Sequence, residues 1–548
     1  MHATEKQIRF RAFVAAFVAS SIFAEQGARA EVGADLRLLT AEQIQTDYAA
    51  GKYTTVELTT AYLKQIKTFD PFYNAWVTLN PAALADAAKV DAARGDPAVP
   101  KGPLFGVPIA IKDPMDVAGL RTTVGSAAFT KEKGGVEMVP ATDSPLVARL
   151  RDAGAIILGK TNVPDFSRSG TNSTSSAIGP TRNPFDRSRV PGGSSGGTGV
   201  AVATGMAVMG MAEETGSSIR NPASANGIVG IRPSLDLIAS TGVYPLNGFR
   251  DVVGPHAKTV TDAVAMFDVL AGADPGDPRT SVGAPSIPAG GYAANLDAGS
   301  LKGARIAVWG PGYNPAENAK LTPETKALFD RELQVLRDAG ATLVEDPFAG
   351  TEWSATVAKV GPATPDSGFS YFVDQYLERL GPAAAFNSVA EYEALTGKDF
   401  YAIPNVPAET STENPFTRAD LTGFFTAREE LRDMWSDILS SNNLDGLVMP
   451  QLAEKVPTLA SGDPLRSTPG AAPNIMGIPG ITVPGGFYDD GTPFSMYFLG
   501  ERFDELTVMN LGYAYEQATL HRMAPTLVPL PPAAWAGLTT MAGVAAAH

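Results

Sequence analysis

The 548-residue chain contains no cysteine and four histidines, His2, His256, His521 and His548. Without cysteine there is no disulfide framework, no thiol nucleophile and no thiolate metal site. The histidines are scattered, so metal chemistry built on clustered imidazoles has almost nothing to work with, and the sequence implies no metal and no cofactor. Long apolar runs are lacking as well. The 13-residue run "AFVAAFVASSIFA" (12–24) is too short to cross a bilayer, and no later run approaches the roughly 20 residues that a membrane helix needs. Positive charge is in deficit, 43 Lys and Arg against 58 Asp and Glu, for a formal charge of −15. That balance argues against nucleic acid and anionic membrane surfaces as partners and leaves a small-molecule or peptide substrate.

What is present begins with a basic stretch, "MHATEKQIRFR", then the apolar run, then "ARA" at 28–30. This order reads as a secretory leader cut after Ala30, so the expected location is periplasmic or secreted. Cleavage removes Lys6, Arg9, Arg11 and Arg29 with Glu5 and Glu25, which leaves a formal charge of −17. Residues 31–548 are expected to form one large domain, with a helical and loop-rich insertion at about 350–440. Residues 39–66 carry amphipathic helical patterning, with Thr40 and Gln43 in capping-box register. "GVPIAIKD" (106–113) alternates as a strand. Helix-then-strand units follow at 144–160 and 323–346, each with a glycine after the helix where a left-handed cap is wanted. Further strands are expected at 304–310, 445–450 and 479–487, and a closing helix at 505–522. The alternation predicts an α/β layer structure with a partly parallel sheet.

The stretch "PGGSSGGTG" (191–199) poses the chemical question. A phosphate loop needs a lysine after its last glycine, where this chain has Thr198, and a dinucleotide fingerprint needs a third glycine that is missing. A free linker is disfavoured by the apolar "VAVATGMAVMGMA" that follows and ties the stretch to a core. Residues 192–196 do satisfy G-x-S-x-G, but that elbow follows a buried strand and needs a histidine base. Here "NPFDRSRVP" precedes it, and the available bases are His256, beside Pro255, and His521, placed where a histidine commonly meets a helix dipole. A lysine is another base: it accepts a proton when neutral, and a low-dielectric site favours that form. Lys112, at the end of an apolar strand, is so placed.

Taken with "GPLFGVPIAIKDPMD" (102–116), "ETGSSIRNPASANGIVGIRPS" (214–234), "GPHAKTVTDA" (254–263) and "MGIPGITVPGGF" (476–487), the chain resembles the amidase signature family from about residue 38 to about 530. The resemblance implies a mixed central β-sheet covered by helices on both faces, and hydrolysis of carboxamides, sometimes esters, through a Ser-cis-Ser-Lys triad without metal. Carried over by motif, the lysine falls on Lys112, the bridging serine on Ser194 and the nucleophile on Ser218. The oxyanion hole falls on backbone N–H groups of Thr215, Gly216, Ser217 and Ser218. Ser176, Ser195 and Ser224 are then loop hydrogen-bonders. Two departures stand out. The family pattern before the nucleophile is Asp-x-Gly-Gly-Ser, and this chain has Glu214 and Ser217 at the first and fourth places. Ser217 raises the question whether a backbone angle open only to glycine is available there. A Ser-His-Asp esterase and a non-catalytic binding descendant of the fold are the other readings. Among substrates, the order of expectation is a peptide C-terminal amide, an aryl acylamide, then another xenobiotic amide.

Overall fold

A computed structural model describes residues 32–360 and 367–527, so the expected leader lies outside the described residues. Thirteen strands are formed among them: β1 (Trp76–Leu79), β2 (Pro108–Lys112), β3 (Ile156–Thr161), β4 (Thr174–Ser175), β5 (Gly179–Pro180), β6 (Met209–Glu214), β7 (Val229–Arg232), β8 (Val252–Ala257), β9 (Arg305–Val308), β10 (Thr342–Glu345), β11 (Gly446–Pro450), β12 (Gly480–Phe487) and β13 (Pro493–Leu499). β4 and β5 pair only with each other; the other eleven form one sheet in the order β1-β3-β2-β6-β8-β7-β12-β13-β11-β9-β10. The pairs β3/β2, β2/β6, β11/β9 and β9/β10 are parallel, and the rest are antiparallel.

Side chains along a strand alternate between faces, and here they feed two different cores. Ile306 and Val308 of β9, Val448 of β11, and Met496 and Phe498 of β13 join the core that holds helices Thr55–Tyr73, Val260–Leu270 and Glu505–Thr519. Their neighbours Ala307, Leu447, Met449, Tyr497 and Leu499 join a second core with Trp353 and Trp435. The chain is therefore a mixed sheet with helices on both faces, as the sequence leads one to expect.

Helix boundaries follow local chemistry. Pro145 and Pro323 each stand in the first turn of a helix, after Ser144 and Thr322, whose hydroxyls accept the orphan N–H groups of Val147 and Thr325. Gly154 and Gly340 follow those helices with φ of 80° and 98°, the left-handed exits anticipated from sequence. Two expectations need correction. The helical patterning at 39–66 is two helices, Ala41–Ala49 and Thr55–Tyr73. Thr40 does cap the first, but the Gln43 side chain turns to Asp47 instead, and the reciprocal capping box forms at Thr54 and Glu57. The closing helix ends at Thr519, so His521 lies past it; its Nε2 sits 3.0 Å from Glu332 Oε2, a carboxylate contact in place of the expected dipole.

Within 350–440, helices Trp353–Val360 and Thr422–Ser441 pack on the second face of the sheet. Phe369–Arg379 and Val389–Thr396 build an aromatic cluster with Phe129, Phe166 and Tyr244. Among the described residues no helix is long and apolar enough to cross a membrane.

Candidate active site

Three adjacent parallel strands, β3, β2 and β6, end side by side, and the carboxyl ends of such strands are where α/β sheets place their ligands. Lys112 is the last residue of β2 and is fully buried. Its Nζ meets three partners: Ser194 Oγ at 2.7 Å, the Glu213 carbonyl at 2.9 Å and Glu213 Oε2 at 2.5 Å. Burial pushes the ammonium below its usual pKa range, while the charges of Glu213, Asp251 and Glu214 push back.

Ser194 is presented by the glycine stretch, which is packed at every step. The Gly193–Ser194 peptide is cis. Ser173 Oγ donates to the Ser194 carbonyl at 3.0 Å and accepts from Gly196 N–H at 3.0 Å. The Asn226 amide donates to the Pro191 carbonyl at 2.7 Å, and Gly197 N–H to the Asn162 carbonyl at 3.2 Å. A Cβ on Gly193 would collide with the Asn172 and Ser169 carbonyls, and one on Gly197 with the backbone of Asn162 and Ala75. The stretch then runs straight into helix Gly196–Ala203. Among the described residues no buried strand leads into Ser194, as a nucleophile elbow requires.

The third serine lies on the loop after β6. Ser218 keeps 6% of its surface exposed, whereas Lys112 and Ser194 have none. Of the three residues, only Ser218 reaches the surface. Glu214 organises this loop: its carboxylate accepts from the N–H groups of Ile219 (2.9 Å) and Arg220 (3.3 Å) and from the Asn474 amide (2.9 Å). It also lies 3.2 Å from Arg232 and 3.6 Å from Arg220. Burial alone would raise the Glu214 carboxyl; the two guanidinium charges outweigh it and hold the group below its usual range. Arg220 in turn donates to the carbonyls of Gly216 and Gly470. No described residue accepts a hydrogen bond from the N–H of Thr215, Gly216, Ser217 or Ser218.

Ser217 needs no glycine-only geometry, because its φ lies outside the left-handed region. Its Oγ accepts from Asn221 Nδ2 at 3.0 Å, and Asn221 also donates to the Gly170 carbonyl at 3.0 Å. The added hydroxymethyl is housed beside Gly170, where any Cβ would strike it at 2.6 Å. Ser195 Oγ donates to the Glu213 carbonyl and Ser176 Oγ accepts from Ala127 N–H, both as loop contacts. His256 is buried; its Nε2 lies 2.8 Å from the Ile219 carbonyl, and burial pushes its pKa down to about 4. A carbonyl only accepts, so this nitrogen is the donor and the ring is a neutral brace for the loop.

Sequence reasoning does not reach Glu213, Asp251 or the Thr215 side chain. Thr215 Oγ1 lies 3.1 Å from Glu213 Oε1 and 2.5 Å from Asp251 Oδ1. β6 and β8 pair Glu213 with Val253 and Glu214 with Val252, so one further residue brings Thr215 opposite Asp251. The available signal is a second acid beside Glu214 at the end of a buried strand, where a charge needs a partner. A cavity of about 1130 Å³ opens between segments 127–139 and 383–404, and none of Lys112, Ser194 and Ser218 lines it.

The family model described as Amidase matches residues 57–509. The chain is 32% identical over 531 residues to a glutamyl-tRNA(Gln) amidotransferase subunit from Carboxydothermus hydrogenoformans, covering 90% of this chain and 100% of that one. It is 30% identical over 505 residues to a probable amidase of Arabidopsis thaliana, covering 89% and 91%. Among solved structures, the native peptide amidase of Stenotrophomonas maltophilia superposes with a TM-score of 0.76 at 31% identity, covering 89% of this chain and 99% of that one. With the fold, the motif blocks and these matches in agreement over most of its length, the chain belongs to the amidase signature family.

Proposed function

We propose that this chain is an amidohydrolase that cleaves a carboxamide C–N bond through an acyl-enzyme on Ser218, with Ser194 as proton relay and Lys112 as base. The observation that carries the reading is the buried 2.7 Å contact between Lys112 Nζ and Ser194 Oγ, with Ser218 the one residue of the three that reaches the surface. Ser218 Oγ attacks the carbonyl carbon. Its proton passes to Ser194 Oγ while Ser194 gives its own to neutral Lys112. The oxyanion is met by the unengaged N–H groups of the 215–218 loop. As the C–N bond breaks, the proton returns along the same path to the leaving nitrogen, and water releases the acid by the reverse sequence. A Ser-His-Asp mechanism would route the proton through His256 or His521, which bond instead to a backbone carbonyl and to Glu332.

For the substrate, likeness to the peptide amidase supports a peptide C-terminal amide, ahead of an aryl acylamide or another xenobiotic amide. A leader cut after Ala30 would place the enzyme outside the cytoplasm and apart from a tRNA-linked assembly. The test is purified protein assayed against peptide amides, anilides, simple amides and p-nitrophenyl esters, with ammonia and aniline release read separately. Ammonia from a peptide amide is expected to dominate. Ester cleavage alone would replace the amidase reading by an esterase, and inertness toward all four would favour a binding descendant. Sequencing of exported protein should begin at Glu31.

A further inference from the structure

The relay just described leaves one buried charge unused. Lys112 Nζ offers three hydrogens as an ammonium and meets three acceptors, Ser194 Oγ, the Glu213 carbonyl and Glu213 Oε2. As a neutral amine it keeps two hydrogens for Glu213 and turns its lone pair to the Ser194 hydroxyl. Glu213 is thus bound to Lys112 through both main chain and side chain in either state. We propose that Glu213 is the counter-ion of the catalytic lysine: it aims the amine at Ser194 and stabilises the ammonium that forms as the proton arrives, while Thr215 and Asp251 hold Glu213 in place. The inference rests on the assignment of Lys112 as base. Glu213 touches no reacting atom, so it is a positioning residue, standing to lysine as a buried aspartate stands to histidine in a Ser-His-Asp triad.

The far side of Glu213 supports this by counting hydrogens. Thr215 has one hydroxyl hydrogen and two carboxylate neighbours, Glu213 Oε1 at 3.1 Å and Asp251 Oδ1 at 2.5 Å. The second hydrogen between them belongs on Asp251 Oδ1. The other oxygen of Asp251 already accepts the N–H groups of Leu246 and Asn247, each at 2.9 Å. Burial and the charge of Glu213 push the Asp251 carboxyl up to about 7. Asp251 then donates to Thr215 and Thr215 to Glu213, which leaves Glu213 Oε2 for the lysine. Other charges near by are engaged elsewhere. Glu214 faces Arg220 and Arg232, Lys160 on β3 faces Asp113, and His256 is neutral.

The test is the pH profile of kcat/KM, which reports ionisation of the free enzyme. The acid limb rises as Lys112 loses its proton. Glu213→Gln preserves shape and removes the charge, so the ammonium loses its counter-ion. The limb is expected to move about 1–3 pH units lower, while the plateau kcat falls roughly 10- to 150-fold, as loss of a charge-assisted hydrogen bond implies. Glu213→Asp keeps the charge and should leave the limb near its wild-type position. Asp251→Asn stays a neutral donor toward Thr215, as the protonated acid is, so it should leave the limb near its wild-type position; Glu213→Ser, which removes the charge with a smaller side chain, serves if Glu213→Gln does not fold. A limb unmoved in folded Glu213→Gln, or in Glu213→Ser where that variant stands in, overturns the proposal. If Lys112→Met stays active, the assignment of the base fails first; if it is dead while the Glu213 limb is unmoved, only the counter-ion role fails.

Discussion

Lys112 and Lys160 sit on neighbouring parallel strands, with Lys112 opposite Thr161 and Ile111 opposite Lys160. Both are fully buried, and burial pushes both ammonium groups below their usual range. Their partners differ. Lys160 donates to Thr122 Oγ1 at 2.6 Å and lies 3.7 Å from Asp113, so it ties down the segment that follows β2. Lys112 binds one residue of the glycine stretch and one of the strand that leads into the Ser218 loop. A depressed lysine pKa is therefore common to a candidate base and to a structural cation. The hydroxyl that the amine meets, and the segment to which that hydroxyl belongs, distinguish the two.

The same substitution at each lysine separates a base from a structural cation. Lys112→Met should cost amide turnover about 10²- to 10⁴-fold, the factor general-base removal carries, with circular dichroism near wild type. Lys160→Met should do the reverse, losing about 3–5 kcal/mol in urea unfolding as its buried acidic partner is left uncompensated. Its turnover per folded molecule should persist. Equal losses of turnover in the two folded variants would mean that burial alone, and not the partner, marks the base.

The two serines differ in the same way, one holding the nucleophile and one the relay. A fluorophosphonate should label Ser218 in "ETGSSIR", as read by peptide mapping. Ser194→Ala should label slowly and Ser218→Ala not at all, because only the first retains its nucleophile. An adduct on Ser194 that survives in Ser218→Ala would move the nucleophile into the glycine stretch.

The smallest effect concerns His256. Its folded pKa of about 4 lies below its ordinary 6.5, so the unfolded chain takes up the proton first. This residue's contribution to stability is present above about 6.5 and is lost as pH falls toward about 4, by about 3 kcal/mol over the window. His256→Gln should flatten that part of the stability profile measured by denaturant titration and leave turnover in place. A profile as steep as wild type would show that other groups carry it.

Much of this arrangement is legible in the sequence because it is local. The alternation of "GVPIAIKD", the helix-ending glycines at 154 and 340, and the order of motif blocks all lie within short windows. What escapes is set by distance along the chain. Glu213 and Glu214 are adjacent in sequence, yet one binds Lys112 and the other Arg220 and Arg232, a divergence natural to consecutive strand residues. Asp251 reaches Thr215 only through the antiparallel register of β6 and β8. His521 misled because the helix stops at Thr519, three residues short of the expected 522, and that decides whether the side chain meets a dipole or a carboxylate.

Glycine-rich segments are the usual choice for randomisation and insertion, since most tolerate both. Here the opposite holds. Added carbon at Gly193 or Gly197 runs into main-chain atoms, which cannot rotate aside as a side-chain tip can. Saturation libraries across 191–199 should return few folded members, whereas the exposed rim at Val139 and Leu395 offers room for variation without disturbing the sheet. At Gly193 and Gly197 the absence of a side chain is a packing requirement rather than slack.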